Sequence, residues 1–273
     1  MPTVIDPHPT PLVEAVEANL VEHVSFVQRQ LEGMEVRAGD GLVLVDSGLE
    51  SDTFNKILGA RLEPSTADAR IDEAVSRFQE ARRPFTWWVG PCSRPLDIED
   101  RLRRRGLSAI EQETGMTIEL GSLPGTATPR GASIRRVTTE AELSAFSRLL
   151  AFLADPPDLA VIAFFDRARA LLMQADCPMR LFLATVEGEP AAVSGLFVGG
   201  GVAGVHMVAT AARFRRRGLG LALTWTALEH ARRAWPALTI GALQASEQGR
   251  PVYERLGFEP CGQFVEYTPG ACS

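Results

Sequence analysis

One stretch decides the fold of the second half of the chain, Val208-Ala209-Thr210-Ala211-Ala212-Arg213-Phe214-Arg215-Arg216-Arg217-Gly218-Leu219-Gly220-Leu221-Ala222. An apolar strand is predicted to end near Thr210, a basic turn comes next, and an amphipathic helix begins at once. The first N–H groups of a helix have no internal partner and lie at the positive end of its dipole, so they bind phosphate groups. Gly218 and Gly220 let such a group approach the backbone, and the arginines add positive charge. The pattern therefore predicts an anion site at this turn.

The elements around this stretch predict an α/β (α+β) fold. From Ala132 onward the pattern reads β-α-α-β-β-β-α-β-α-β, which is typical of a mixed, mostly antiparallel sheet flanked by helices. The segment 120–131 is rich in Gly, Pro, Ser and Thr and has little to bury. We therefore expect a first domain over 1–122, a linker over 123–131 and a second domain over 132–273.

The same five letters occur earlier, as Arg103-Arg104-Arg105-Gly106-Leu107. There the arginines end a predicted helix, and Gly106 is its expected C-terminal cap. Strand residues come next, so no helix N-terminus faces an anion. We expect this copy to be structural, with cations at a helix C-terminus.

The segment 202–222 resembles the coenzyme motif of the GNAT acyltransferases, (Arg/Gln)-x-x-Gly-x-(Gly/Ala), which Arg215, Gly218 and Gly220 match. The resemblance covers about residues 132–270 and implies acetyl-CoA as cosubstrate. It implies that the backbone of Val208-Ala209-Thr210 pairs with the pantetheine arm. The residues expected to bind the coenzyme are Val208, Ala209, Thr210, Arg215, Arg216, Arg217, Gly218, Leu219, Gly220, Leu221 and Ser246.

A second element of the resemblance lies at 243–258 and ends in Tyr-x-x-x-Gly-Phe, with Tyr253 as its tyrosine. In many family members this tyrosine protonates the departing thiolate, and the alternative is a half-buried packing residue. His206 is a candidate base, although a lone histidine on an apolar strand is more often a core residue. It lies two residues before Val208, so alternation would place both side chains on one face. Glu113 and Glu247 are weaker candidates, and Ser246 either binds coenzyme or caps the next helix.

The two halves resemble weak repeats. Helices ending at Gly106-Leu107 and at Gly257-Phe258 correspond, and aligning the two glycines places Leu102 opposite Tyr253. The first half has Leu62-Glu63-Pro64-Ser65-Thr66 where a glycine-containing turn would precede the helix. We therefore expect a degenerate GNAT-like domain without the coenzyme motif, in a tandem arrangement.

Composition limits the remaining classes. The net charge is −6, which disfavours nucleic acid, and no apolar run is long enough to span a bilayer. No signal peptide is recognisable at the N-terminus, so we expect a cytoplasmic protein. Histidine and cysteine spacing predicts no metal. The leading hypothesis is an acetyl-CoA-dependent N-acetyltransferase acting on a small-molecule primary amine. The alternatives are a non-catalytic acyl-CoA-binding sensor or regulatory protein and a protein acetyltransferase. A homodimer is left open.

Overall fold

The structure, a computed structural model, describes residues 10–270 of the 273 and divides them between two compact units. Unit 1 is the described part of Met1–Gly115 and Cys261–Ser273, and unit 2 is Met116–Pro260. These limits differ from the predicted 1–122 and 132–273. The segment 116–131 belongs to unit 2, and residue 261 onward belongs to unit 1. The reason is that two long strands, over 107–119 and 259–269, each begin in one unit and end in the other. The prediction that the N-terminus is no signal peptide concerns residues 1–9, which lie outside the described residues.

Unit 1 contains a sheet in the order β1-β2-β3-β4-β11-β5. The β1–β2, β2–β3 and β4–β11 pairs are antiparallel, and β3–β4 is parallel. Helix α2 connects the parallel pair, as a parallel connection requires. The core of unit 1 contains Phe78 from the buried face of α2, Phe85 directly before β4, and Trp87 within β4. The elements are α1 (Pro11–Phe26), β1 (Glu35–Gly39), β2 (Leu42–Asp46), β3 (Lys56–Leu58), α2 (Ala67–Glu80), β4 (Thr86–Val89), α3 (Ile98–Arg104), the first part of β5 (Leu107–Glu119) and most of β11 (Glu259–Pro269).

Unit 2 contains a sheet in the order β5-β10-β9-β8-β7-β6. The β6–β7, β7–β8 and β8–β9 pairs are antiparallel, and the β9–β10 pair is parallel. Helix α6 packs its apolar face on this sheet through Leu219, Leu223 and Ala227. The elements are β6 (Ala132–Arg136), α4 (Glu140–Ala151), α5 (Leu159–Leu172), β7 (Met179–Val186), β8 (Glu189–Gly199), β9 (Val202–Thr210), α6 (Leu219–Ala234), β10 (Ile240–Ser246) and α7 (Arg250–Glu254).

The α/β class and the predicted element order of the second half are confirmed. Thr139 with Glu142 three residues later predicts a capping box, and the two residues form that box at the start of α4. Residues 107–119 form one strand. Strand β1 was missed because it is only five residues long and its alternating apolar side chains are just Val36 and Ala38. The helical spacing of Leu12, Val16, Leu20 and Leu31 predicts a first helix over 12–31, but the observed α1 ends at Phe26. No helix within residues 10–270 has the length and apolar content that a bilayer-spanning segment requires.

Candidate functional site

Strands β9 and β10 diverge at the edge of unit 2 where both strands end. Their parallel pairing runs from Gly241↔Ala203 to Leu243↔Val205 and stops there among the described residues. Strand β9 continues to Thr210, which still pairs with β8 through Ala192. The β10-facing backbone groups of residues 207–209 are therefore open to an extended ligand, because a strand edge offers unpaired N–H and C=O groups.

A β-bulge shapes the same part of β9. Val193 pairs with Ala209, but Gly195 pairs with His206, so β9 has one extra residue here. Met207 within the bulge has a φ of 54°. A Cβ at Gly195 would lie 2.5 Å from the Met207 Cε, so the glycine makes room for this side chain. Because alternation does not continue across a bulge, it no longer places His206 and Val208 on one face of the strand.

The turn after β9 delivers the chain to α6. A short 3-10 helix (Ala212–Phe214) precedes Arg215, and Gly218 caps α6 with a φ of 79° and no side-chain hydrogen bond. The first bond inside α6 runs from the Ala222 N–H to the Gly218 carbonyl at 3.0 Å. The N–H groups of residues 219–221 come before that bond and have no partner within the helix. The helix start that the sequence predicted directly after the basic turn is thus present in the structure.

Three arginines of this turn carry charges that no described carboxylate neutralises. Arg215, Arg216 and Arg217 are exposed, and no carboxylate among residues 10–270 pairs with them. The Arg215 Nε donates to the Thr210 carbonyl at 3.3 Å, and the Arg217 guanidinium lies over the Phe214 ring at 5.4 Å. The turn therefore holds positive charge beside the free helix donors.

A cavity of about 590 Å³ opens at this turn. Its lining joins the basic turn and the first residues of α6 to the region around α7. None of the described residues that line it is a carboxylate. The lining residues are Thr210, Phe214, Arg215, Arg216, Gly218, Leu219, Gly220, Leu221, Gln248, Val252 and Arg255.

The earlier Arg-Arg-Arg-Gly copy has a different environment, as predicted. Helix α3 ends at Arg104, and Gly106 adopts the left-handed conformation with a φ of 78°. Arg103 pairs with Glu99 at 2.6 Å, and Arg105 pairs with Asp72 at 2.5 Å. The charges of these two arginines are neutralised within unit 1, and no helix begins at this glycine.

The parallel strand pair of unit 1 stays closed. Beyond β3 and β4 the Arg94 N–H donates to the Ala60 carbonyl at 2.9 Å, and the Leu62 N–H donates to the Arg94 carbonyl at 3.2 Å. At the start of α2 the Glu63 carbonyl accepts from the N–H groups of Thr66 and Ala67 at 3.0 and 2.9 Å. In the described part of unit 1 these bonds join the chain beyond the parallel pair. The first N–H group of α2 already has an acceptor, unlike the N–H groups of residues 219–221 in unit 2.

Tyr253 lies in α7 and is 8% exposed, with its ring edge-on to Phe258 at 6.0 Å. A Cβ at Gly249 would lie 3.3 Å from both the Tyr253 ring and the Ser246 Oγ, so these three residues lie together. The Ser246 Oγ accepts from the Gly249 N–H at 3.2 Å, which holds the turn before α7. The position aligned with Tyr253 in unit 1 is Leu102, which is fully buried.

The candidate bases differ in position. His206 is buried within β9 at 9% exposure, and Glu247 is exposed beside Ser246. Glu113 belongs to unit 1, where burial, then the nearby charges of Glu111 and Glu266, raises its pKa to about 8. No group of histidine, cysteine, aspartate and glutamate in residues 10–270 has metal-binding geometry.

Sequence reasoning missed Gln248, Val252 and Arg255, which line the cavity from the α7 region. A signal was available, because β9 and β10 are parallel neighbours and the segments after them must meet at one sheet edge. That rule places the residues after β10 beside the basic turn after β9.

Comparison with known proteins agrees with this geometry. Residues 142–258 match the model of the acetyltransferase (GNAT) family. No curated protein sequence matches the chain at a significant level. A GCN5-related N-acetyltransferase from Kribbella flavida aligns with a TM-score of 0.70 at 18% identity, over 93% of this chain and 96% of that one. A tandem GNAT protein from the clavulanic acid biosynthesis pathway aligns with a TM-score of 0.60 at 18% identity, over 96% and 95%. A GCN5-related N-acetyltransferase from Sphaerobacter thermophilus aligns with a TM-score of 0.59 at 17% identity, over 95% and 93%.

Proposed function

We propose, on the premise that residues 142–258 match the acetyltransferase (GNAT) family model, that this protein transfers an acetyl group from acetyl-CoA to a primary amine of a small molecule. The observation that carries the proposal is the combination in unit 2 of an open β9 edge with a free, positively charged start of α6. A pyrophosphate needs the second feature and an extended pantetheine arm needs the first.

The coenzyme would occupy the cavity with its phosphates at the N–H groups of residues 219–221. Gly220 leaves room there, because even a Cβ at this position would meet only the Val208 Cγ1, at 3.6 Å. Arg215 and Arg216 line the cavity and supply charge-assisted hydrogen bonds. The pantetheine arm would pair with the backbone of residues 208–210 and bring the thioester toward the bulge.

The chemistry requires no covalent enzyme intermediate. A neutral amine attacks the thioester carbonyl carbon, and a backbone N–H at the divergence of β9 and β10 stabilises the oxyanion. The C–S bond then breaks, and the Tyr253 hydroxyl gives its proton to the departing thiolate. The ammonium formed by the attack loses its proton to His206 or to water. The burial of the Tyr253 ring fixes its position, which favours a role as acid.

Unit 1 would be a degenerate repeat of the same fold. Each unit has a parallel strand pair connected by a helix, then a short helix that ends at a left-handed glycine, Gly106 or Gly257. The closed β3–β4 edge and Leu102 in place of a tyrosine support a unit that binds no coenzyme. By sequence, the proposed repeats are 1–122 and 132–273 with a linker over 123–131. Strand β5 of the first repeat pairs with β10 of the second, and β11 of the second repeat pairs with β4 of the first.

The test is release of coenzyme A thiol from acetyl-CoA in the presence of a panel of small amines. The sequence contains two tyrosines, so Tyr267 provides a matched control for Tyr253. We expect Tyr253→Phe to lower kcat by about a hundredfold or more while acetyl-CoA affinity stays the same. Tyr267→Phe removes a hydroxyl that bonds Glu99 and Arg103 in unit 1, so it should lower stability and leave kcat unchanged.

Two results would contradict the proposed activity. Binding of acetyl-CoA without turnover on any amine would favour a sensor or regulatory protein. Turnover on peptide amines alone would favour a protein acetyltransferase. Separately, equal loss of kcat in both tyrosine variants would remove Tyr253 from the acid role.

A further inference from the structure

Arg255 lines the cavity, and no described carboxylate neutralises its charge. It comes directly after α7, and its Nε donates to the Pro251 carbonyl at 3.1 Å. No described residue bonds its two terminal nitrogens, and no carboxylate among residues 10–270 pairs with it. Arg250, five residues earlier and also exposed, instead pairs with Glu254 at 2.7 Å. Two arginines of one short segment therefore differ in whether their charge is neutralised.

The cavity contains more positive charge than a pyrophosphate requires. A pyrophosphate diester carries two negative charges, which the α6 N-terminus together with Arg215 and Arg216 can neutralise. Arg255 is a third guanidinium, it reaches the same cavity from the α7 region, and no described carboxylate lines this space. An uncompensated set of three arginines fits a ligand with a further anionic group.

We propose that Arg255 binds the ribose 3′-phosphate of the coenzyme, so that the site selects the 3′-phosphorylated coenzyme over its 3′-dephospho form. The inference rests on the proposed function, because it assigns one more group of the same ligand. A phosphomonoester carries up to two charges and three acceptor oxygens, which match the fork of terminal guanidinium nitrogens that Arg255 has free. Gln248 lines the same wall and offers an amide to the same end of the ligand.

The experiment measures the Kd of acetyl-CoA and of 3′-dephospho-acetyl-CoA by calorimetry for the wild type, Arg255→Gln and the control Arg250→Gln. We expect the wild type to bind acetyl-CoA about tenfold more tightly than the dephospho form. Arg255→Gln should lose that preference by weakening acetyl-CoA binding alone, and Arg250→Gln should keep it. Raising salt to about 0.5 M should reduce the preference of the wild type, since exposed charges are screened.

Three outcomes would overturn the inference. Equal wild-type affinity for both forms would remove the 3′-phosphate contact and leave the proposed function intact. Equal weakening of both ligands by Arg255→Gln would assign Arg255 to the pyrophosphate instead. Failure of the wild type to bind either form would overturn the coenzyme site itself. Urea midpoints of the two variants show whether each remains folded.

Discussion

Replacing Gly218 with alanine tests the anion site against an internal control, because Gly106 has nearly the same backbone. The two φ values are 79° and 78°. A Cβ at Gly218 would meet only Pro129, at 3.8 Å, and a Cβ at Gly106 would meet nothing within 4 Å. Neither variant creates a clash, so both carry only the cost of alanine in the left-handed region, about 1–2 kcal/mol. The reduced freedom of the unfolded chain returns about 0.4–1 kcal/mol of that. We expect each variant to lose about 1 kcal/mol of unfolding free energy.

Coenzyme binding should separate the two variants. The alanine methyl at position 218 stands at the cap of α6, where a phosphate must approach the N–H groups of residues 219–221. We expect Gly218→Ala to weaken acetyl-CoA at least tenfold, about 1.4 kcal/mol, and Gly106→Ala to leave it unchanged. Urea denaturation gives the stability and calorimetry gives the Kd. Equal affinities of the two variants would refute the assignment of the phosphates to this helix end.

Two further predictions concern Glu113 and Ser246. Burial raises the pKa of Glu113 to about 8 in the native state, from 4.5 in the unfolded chain. Between these two pH values the native state binds one more proton than the unfolded state, so the free energy of unfolding falls as pH rises. Glu113→Gln should therefore raise the denaturant midpoint relative to the wild type near pH 9 and match it near pH 4, and a pH-independent difference would contradict this. Ser246→Ala should lose no more than about 0.5 kcal/mol of stability, because the Gly249 N–H keeps its 3.0 Å bond to the Ser246 carbonyl when the Ser246 Oγ is removed, and acetyl-CoA affinity should not change. A weakened affinity by calorimetry would show that Ser246 contacts the coenzyme.

Local patterns made much of unit 2 predictable. The capping box at Thr139, the strand order after it and the left-handed glycine before α6 each depend on a few neighbouring residues. The element that follows each Arg-Arg-Arg-Gly copy distinguishes the two: helix α6 follows the copy that ends at Gly218, and strand β5 follows the copy that ends at Gly106. In both cases the deciding information lies within a few residues of the motif.

Features that depend on distant pairing were not predictable. The bulge at Met207 arises from the room that Gly195 leaves on the neighbouring strand, and no pattern in β9 alone indicates it. The cavity role of Arg255 requires knowledge that β9 and β10 are neighbours. The limits of the two units could not be predicted either, because the strand partners of β5 and β11 lie far away in sequence.

The placement of β11 has a consequence for how the protein is made. Val265 of β11 pairs with Val89, and Tyr267 is fully buried in the core of unit 1. Unit 1 thus stays incomplete on the ribosome until residue 269 has emerged, whereas all of Met116–Pro260 is synthesised before that point. Domains fold as units during synthesis, so the order of translation allows unit 2 to close before unit 1. Until then β4 lacks its partner strand β11, and its unpaired edge can bind a wrong strand.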